Sequence, residues 1–132
     1  MGRNVIAVHP SDLHFLWAQG KNIVVKSVES NENSYLKGHE GMVTLITVSP
    51  NGKLVASGET IGNGQQAAVI VWSFDQLDIL FRVRYHSDLV QALSFSCDEQ
   101  YLLSMSGQKD GNKIVVWNMA EGCSETLSYA SN

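Results

Sequence analysis

Apolar residues along the chain come in short bursts separated by turn-forming residues, and no burst keeps a helical period. Val43-Thr44-Leu45-Ile46-Thr47-Val48, Val69-Ile70-Val71-Trp72, Val90-Gln91-Ala92-Leu93-Ser94-Phe95 and Ile114-Val115-Val116-Trp117 are rich in β-branched and aromatic side chains, the composition of a pleated, half-buried surface. Pro10-Ser11-Asp12, Pro50-Asn51-Gly52, Gly62-Asn63-Gly64 and Asp110-Gly111-Asn112 interrupt the pattern. The pattern predicts strands over 4–8, 13–18, 22–28 and 33–37, then 43–48, 53–57, 68–73 and 78–84, then 90–95, 100–105, 113–118 and 124–129. The nearest approach to a helix, residues 74–78, is too short to be stable.

The bursts repeat. Val43 to Gly52 aligns with Val90 to Glu99 at an offset of 47, which also pairs His39 with His86 and Ser57 with Ser104. Val69-Ile70-Val71-Trp72 aligns with Ile114-Val115-Val116-Trp117 at an offset of 45, so the difference falls in the loop between those strands. A degraded copy precedes them: Asn4 to Asp12 lies 40 residues before the Val48-Ser49-Pro50 region, and Ile23-Val24-Val25-Lys26 takes the place of Val69 to Trp72. Approximate repeats of 4–37, 38–84 and 85–129 fill the chain, with no visible linker.

Four short strands per repeat and no helices predict an all-β chain of four-stranded antiparallel blades. With about three blades, it forms an incomplete propeller sector. Such a sheet has two apolar faces and buries both only between neighbours, which explains the blurred alternation inside the strands.

Particular residues give this pattern a family resemblance. Lys37-Gly38-His39 carries a Gly-His signature before an inner strand, His86 keeps its His, and Trp72 and Trp117 stand where a Trp-Asp pair is expected, with Ser73 and Asn118 replacing the Asp. The chain resembles the WD-repeat family of β-propellers over roughly residues 4–122. Its stretches Ala56 to Trp72 and Ser104 to Trp117, with their long loops, are similar to those in the N-terminal propellers of the cilia- and flagella-associated protein 52 group and of echinoderm microtubule-associated-like proteins. Centriolar WD-repeat proteins have similar propellers. The resemblance implies a hydrogen-bonded group of His, Ser, Asp and Trp within a blade: His86, Ser104, Asp110 and Trp117 in the last repeat, and His39, Ser57 and Trp72 in the middle one. No Asp lies between Gly58 and Trp72, so that network is expected to be incomplete or to use another acceptor. It also implies a non-catalytic scaffold in the cytoplasm, at a ciliary or flagellar axoneme or on the cytoskeleton. The implied partners are proteins, among them tubulin or axonemal components.

Composition narrows the alternatives. The 132 residues are 44% hydrophobic and carry a net charge of -4, values that favour a folded domain over disorder. Nine Lys and Arg against thirteen Asp and Glu, with no dense basic run, disfavour a nucleic-acid-associated module. No apolar stretch is long enough for a membrane span, and the first residues lack the hydrophobic segment of a secretory signal. Cys97 and Cys123 lack metal or redox spacing and are expected as free thiols. The four histidines form no metal-ligand pattern, so neither a metal nor a cofactor is expected. Gly58 to Gly64 lacks the Gly-Lys-Ser/Thr ending of a phosphate loop. Lys53, Arg82 and Arg84 are the candidate partner surface.

Two readings compete with the microtubule-linked scaffold. One is a general cytoplasmic WD-repeat adaptor unrelated to microtubules. The other is a hydrolase built on the Ser and His residues, disfavoured because no Gly-x-Ser-x-Gly elbow is present. The architecture carries one further expectation. Three blades leave two radial faces uncovered, one lined by 4–8 and 13–28, the other by 90–95 and 100–118. The chain is therefore expected to self-associate, with a dimer favoured, or to belong to a longer parent chain.

Overall fold

In the computed structural model, which describes residues 5–62 and 64–130, twelve strands form three four-stranded antiparallel sheets, each a meander in chain order. Sheet 1 comprises β1 (Ile6–Val8), β2 (His14–Gln19), β3 (Asn22–Ser27) and β4 (Asn33–Lys37). Sheet 2 comprises β5 (Met42–Val48), β6 (Leu54–Thr60), β7 (Gln66–Ser73) and β8 (Asp78–Ser87), and sheet 3 comprises β9 (Val90–Phe95), β10 (Tyr101–Ser106), β11 (Lys113–Asn118) and β12 (Ser124–Ala130). The only helical turns among the described residues are two 3-10 turns, Gln108–Asp110 and Met119–Glu121. All three sheets are blades of the expected four-stranded kind.

The repeat offsets reappear as equivalent turns. Ser49 Oγ donates to Asn51 Oδ1 and accepts from Leu54 N–H, while Asn51 Oδ1 also accepts from Lys53 N–H. Ser96, Asp98, Gln100 and Tyr101 make the same three bonds one repeat later. A short polar side chain that bonds its own turn ends one strand and starts the next.

Direct cross-strand partners share a face, so register decides which side chains enter each core. In sheet 1, Leu16 pairs with Val25 and Ile23 with Leu36, and these four pack against Val55, Ile70 and Trp72 of sheet 2. In sheet 2, Ala56 pairs with Val71 on the opposite face, and with Val69 they pack against Leu102, Val115 and Trp117 of sheet 3. Sheet 2 is therefore covered on both faces. The first strand of each following sheet lies against the sheet before it, β5 against β1, β2 and β3, and β9 against β5, β6 and β7.

Several side-chain ties cross these joints. His9 Nε2–H donates to Gly52 O at 2.8 Å across the first, and Glu99 Oε2 accepts from Asn51 N–H at 2.5 Å across the second. Gly52 has φ +79°, and a Cβ there would come within 2.7 Å of the His9 ring, so the turn needs glycine for both conformation and space.

Strand ends differ from the sequence reading where tertiary pairing extends them. β6 runs to Thr60 and β8 to Ser87, placing His86 opposite Ala67 rather than in a loop. Bulges at Ala67/Ala68 and Val71/Trp72 absorb the mismatch between the two strands.

Candidate functional site

The polar side chains singled out in the sequence collect at one end of sheets 2 and 3, inside the blades. β8 and the loop before β5 supply the histidines, β6 and β10 the serines, and β7 and β11 the tryptophans.

In sheet 2 the group is a continuous chain. Trp72 Nε1–H donates to Ser57 Oγ at 2.8 Å. Ser57 Oγ lies 2.6 Å from His39 Nε2, and His39 Nδ1 lies 2.6 Å from Glu59 Oε1. One proton arrangement satisfies every link. Ser57 accepts from the indole and donates its hydroxyl hydrogen to His39 Nε2, and the neutral imidazole donates Nδ1–H to the carboxylate. Glu59 Oε2 accepts from Ala68 N–H at 3.1 Å, and Oε1 also accepts from Glu40 N–H at 3.3 Å. Glu59 is 1% exposed, so these bonds compensate the desolvation of its carboxylate.

Glu59 is the acceptor that the sequence reading did not find. Its signal was a carboxylate directly after Gly58 in a strand that pairs on both sides. Glu59 lies two residues after Ser57 in β6, so strand alternation turns both side chains to the same face, beneath His39.

In sheet 3, Trp117 Nε1–H donates to Ser104 Oγ at 2.9 Å, and Ser104 Oγ lies 2.7 Å from His86 Nε2. Here the chain stops. Asp110 Oδ2 accepts from Ser87 N–H at 3.0 Å instead of meeting the imidazole, and His86 Nδ1 has no partner among the described residues. The Asp110 carboxyl sits below its usual range: burial opposes this, but the Ser87 N–H and the Lys113 ammonium outweigh it. Asp110 thus ties the 3-10 turn to the strand carrying His86 without closing the network.

Both histidines are held neutral. Burial lowers the His39 pKa despite the opposing pull of Glu59, and burial pushes His86 down to about 4 despite Asp110. Ser57 and Ser104 are fully buried. An open cleft of about 520 Å³ between sheets 2 and 3 is lined by residues such as Thr60, Ser87, Asp88 and Asn112, and neither serine reaches it.

Lys53, Arg82 and Arg84 do not form one cluster. Lys53 precedes β6, where Leu54 pairs with Ser73, while Arg84 pairs with Ala68 toward the far end of β7. Arg82 Nη2–H donates to Gly38 O at 2.8 Å, and Arg84 pairs with Glu40. Both arginines therefore grip the loop that presents His39. Cys97 is exposed and Cys123 is buried, and both are free thiols. Burial pushes the Cys123 thiol up to about 11. Among the described residues no group of three His, Cys, Asp or Glu side chains is placed to hold a metal ion, and no helix is long and apolar enough to cross a membrane.

Residues 30–73 match the family model of the WD domain, G-beta repeat. Cilia- and flagella-associated protein 52 of Mus musculus is 32% identical over 89% of the chain, and that of Chlamydomonas reinhardtii is 33% identical over 90%. The chain spans about a fifth of the length of each, 19% in both cases. The crystal structure of RRP9 WD40 repeats superposes with a TM-score of 0.80 at 26% identity, covering 96% of this chain and 38% of that one.

Proposed function

The chain belongs to the WD-repeat family of β-propeller proteins, and we propose that it acts as a non-catalytic scaffold for protein–protein contacts in a ciliary, flagellar or microtubule-associated complex. The observation that carries the non-catalytic half is the burial of Ser57 and Ser104 at 0% exposure, each already holding an indole N–H and an imidazole. A serine nucleophile must reach its substrate, and these hydroxyls are sealed inside the blades, away from the cleft between sheets 2 and 3. Here the hydroxyls and imidazoles are committed to joining loop, strand and neighbouring strand. On this reading His39, Ser57, Trp72, His86, Ser104, Asp110 and Trp117 are structural residues, and Glu59 joins them.

Similarity to cilia- and flagella-associated protein 52 over most of the chain supports the ciliary assignment. Axonemal proteins or tubulin are the proposed partners. Arg82 and Arg84 contribute by shaping the loop at 38–40, since their guanidinium groups already contact it. Isolation of axonemes from ciliated cells expressing the tagged protein, with microtubule co-sedimentation in parallel, tests this. Retention in the axonemal fraction or the microtubule pellet is expected. Absence from both would overturn the assignment while leaving the scaffold reading to a hydrolase screen, in which Ser57→Ala and Ser104→Ala are expected to change no activity.

A further inference from the structure

Where Leu54 pairs with Ser73, at the end of sheet 2 away from Glu59, two turns face each other across an open cleft of about 420 Å³ between sheets 1 and 2. The turn between β3 and β4 is closed by its own side chains. Ser27 Oγ accepts from Ser30 N–H at 3.3 Å, and Ser30 Oγ accepts from Glu32 N–H at 3.3 Å. The turn between β7 and β8 is closed in a similar way, with Ser73 Oγ accepting from Gln76 N–H at 3.3 Å and Leu77 N–H donating to Ser73 O at 2.8 Å. Each turn brings one carboxylate to the cleft, Glu32 from sheet 1 and Asp75 from sheet 2, and both residues are exposed.

Beneath these carboxylates the floor is apolar and well anchored. Phe74 and Leu77 of sheet 2 and Val25 of sheet 1 line it. The Phe74 ring stacks on the His9 ring with 4.0 Å between centroids, and the His14 ring meets it edge-on at 5.1 Å. His9 is itself held by its bond to Gly52 O. His14 also lines the cleft, and its buried Nδ1 has no hydrogen-bond partner among the described residues. No lysine or arginine is among the described residues that line the cleft, and among those residues neither Glu32 nor Asp75 pairs with a cation.

An apolar floor below two carboxylates is the complement of a side chain with an aliphatic stem and a cationic tip. From this complementarity we infer that the cleft is a docking site for an arginine side chain, carried on a basic segment of a protein partner. The stem lies over Phe74 and Leu77, and the guanidinium sits at the rim, where its planar fork of donors serves a carboxylate on each wall. Lysine has the stem and the charge but not the fork. Both walls belong to this chain, at a joint between two of its own sheets. The inference rests on the reading of the chain as a protein-binding scaffold and adds the chemistry of one partner.

Nuclear magnetic resonance titration of the isotope-labelled 132-residue chain with N-acetyl-arginine amide tests this, with the citrulline and lysine analogues as the uncharged and the point-charge comparison. Saturable shifts are expected at the amides of Ser27, Glu32, Ser34, Phe74 and Asp75, with none from the citrulline probe and weaker binding of the lysine probe. Glu32→Gln and Asp75→Asn, both at exposed positions, are each expected to weaken arginine binding about threefold, the size of one solvent-exposed ion pair, and together about tenfold. The rest of the spectrum is expected to stay as in the parent, and Glu121→Gln, in the turn after β11, to leave binding unchanged. Absence of shifts, shifts spread over other acidic surfaces, equal binding of the citrulline or lysine probe, or affinity indifferent to both variants overturns the inference. The axonemal test reads where the protein goes and not what this cleft holds, so failure of one is told apart from failure of the other.

Discussion

The imidazole of His39 and the carboxylate of Glu59 meet at 2.6 Å with both side chains cut off from solvent. Through this contact the loop at 38–41 is fastened to β6, and through Ala68 N–H the same carboxylate holds β7. Glu59→Ala orphans the His39 Nδ1–H and the Ala68 N–H together. At about 1–3 kcal/mol for each buried donor left unpaired, the expected loss is about 2–6 kcal/mol. Urea unfolding of Glu59→Ala against the parent reads it directly, and a loss under about 0.5 kcal/mol contradicts the role assigned to Glu59.

The three tryptophans are expected to separate by position. Trp72 is 1% exposed and Trp117 6%, each at a joint between sheets, whereas Trp17 is half-buried on the face of sheet 1 turned away from sheet 2. Trp72→Ala and Trp117→Ala should each cost about 3–5 kcal/mol, and Trp17→Ala distinctly less. Denaturant titration of the three variants gives the order. Costs below about 1 kcal/mol for both Trp72 and Trp117 are incompatible with the two cores described.

Acid should weaken the fold through its histidines. His86 is depressed to about 4 and His39 is also lowered, so on acidification the unfolded chain takes up protons near pH 6.5 before the folded one does. The stability these groups confer is full above about pH 6.5 and is lost as the pH falls toward 4. Urea midpoints measured between pH 7.5 and 4 should fall across that window, and His86→Gln should flatten part of the slope. An unchanged slope in that variant removes His86 from the explanation.

Two glycines offer a contrast in packing. A Cβ on Gly58 would meet Val90 Cγ1 at 2.6 Å across the joint between sheets 2 and 3, whereas a Cβ on Gly62 would meet nothing within 4 Å. Gly58→Ala is expected to destabilise by about 1–3 kcal/mol as overpacking pushes the sheets apart, and Gly62→Ala to be neutral or slightly stabilising. Thermal unfolding of the pair, compared side by side, checks both signs.

Much of this fold is legible in the chain because its signals are local and repeated. The β-branched runs, the Ser-x-Asn and Ser-x-Asp turns and the offsets of 47 and 45 each act within a few residues, and their recurrence marks the four-stranded unit. The positions of His39, Ser57 and Trp72 were legible for the same reason, since His86, Ser104 and Trp117 repeat them.

Tertiary structure decided what depends on register and on neighbours. Glu59 reads as a loop carboxylate until β6 extends to Thr60 and strand alternation places it with Ser57 under His39. Asp110 has the spacing to reach His86, yet the 3-10 turn aims it at Ser87 N–H. Arg82 and Arg84 look like free surface charges until β8 pairs with β7 along its full length and carries them to Gly38 and Glu40. Periodicity tells which residues share a face, because alternation is a property of the strand alone. It does not tell which face meets a neighbour, because that depends on how one sheet stacks on the next. Phe15 and Leu16 are adjacent apolar residues in β2, and only the position of sheet 2 leaves the first 40% exposed and the second fully buried.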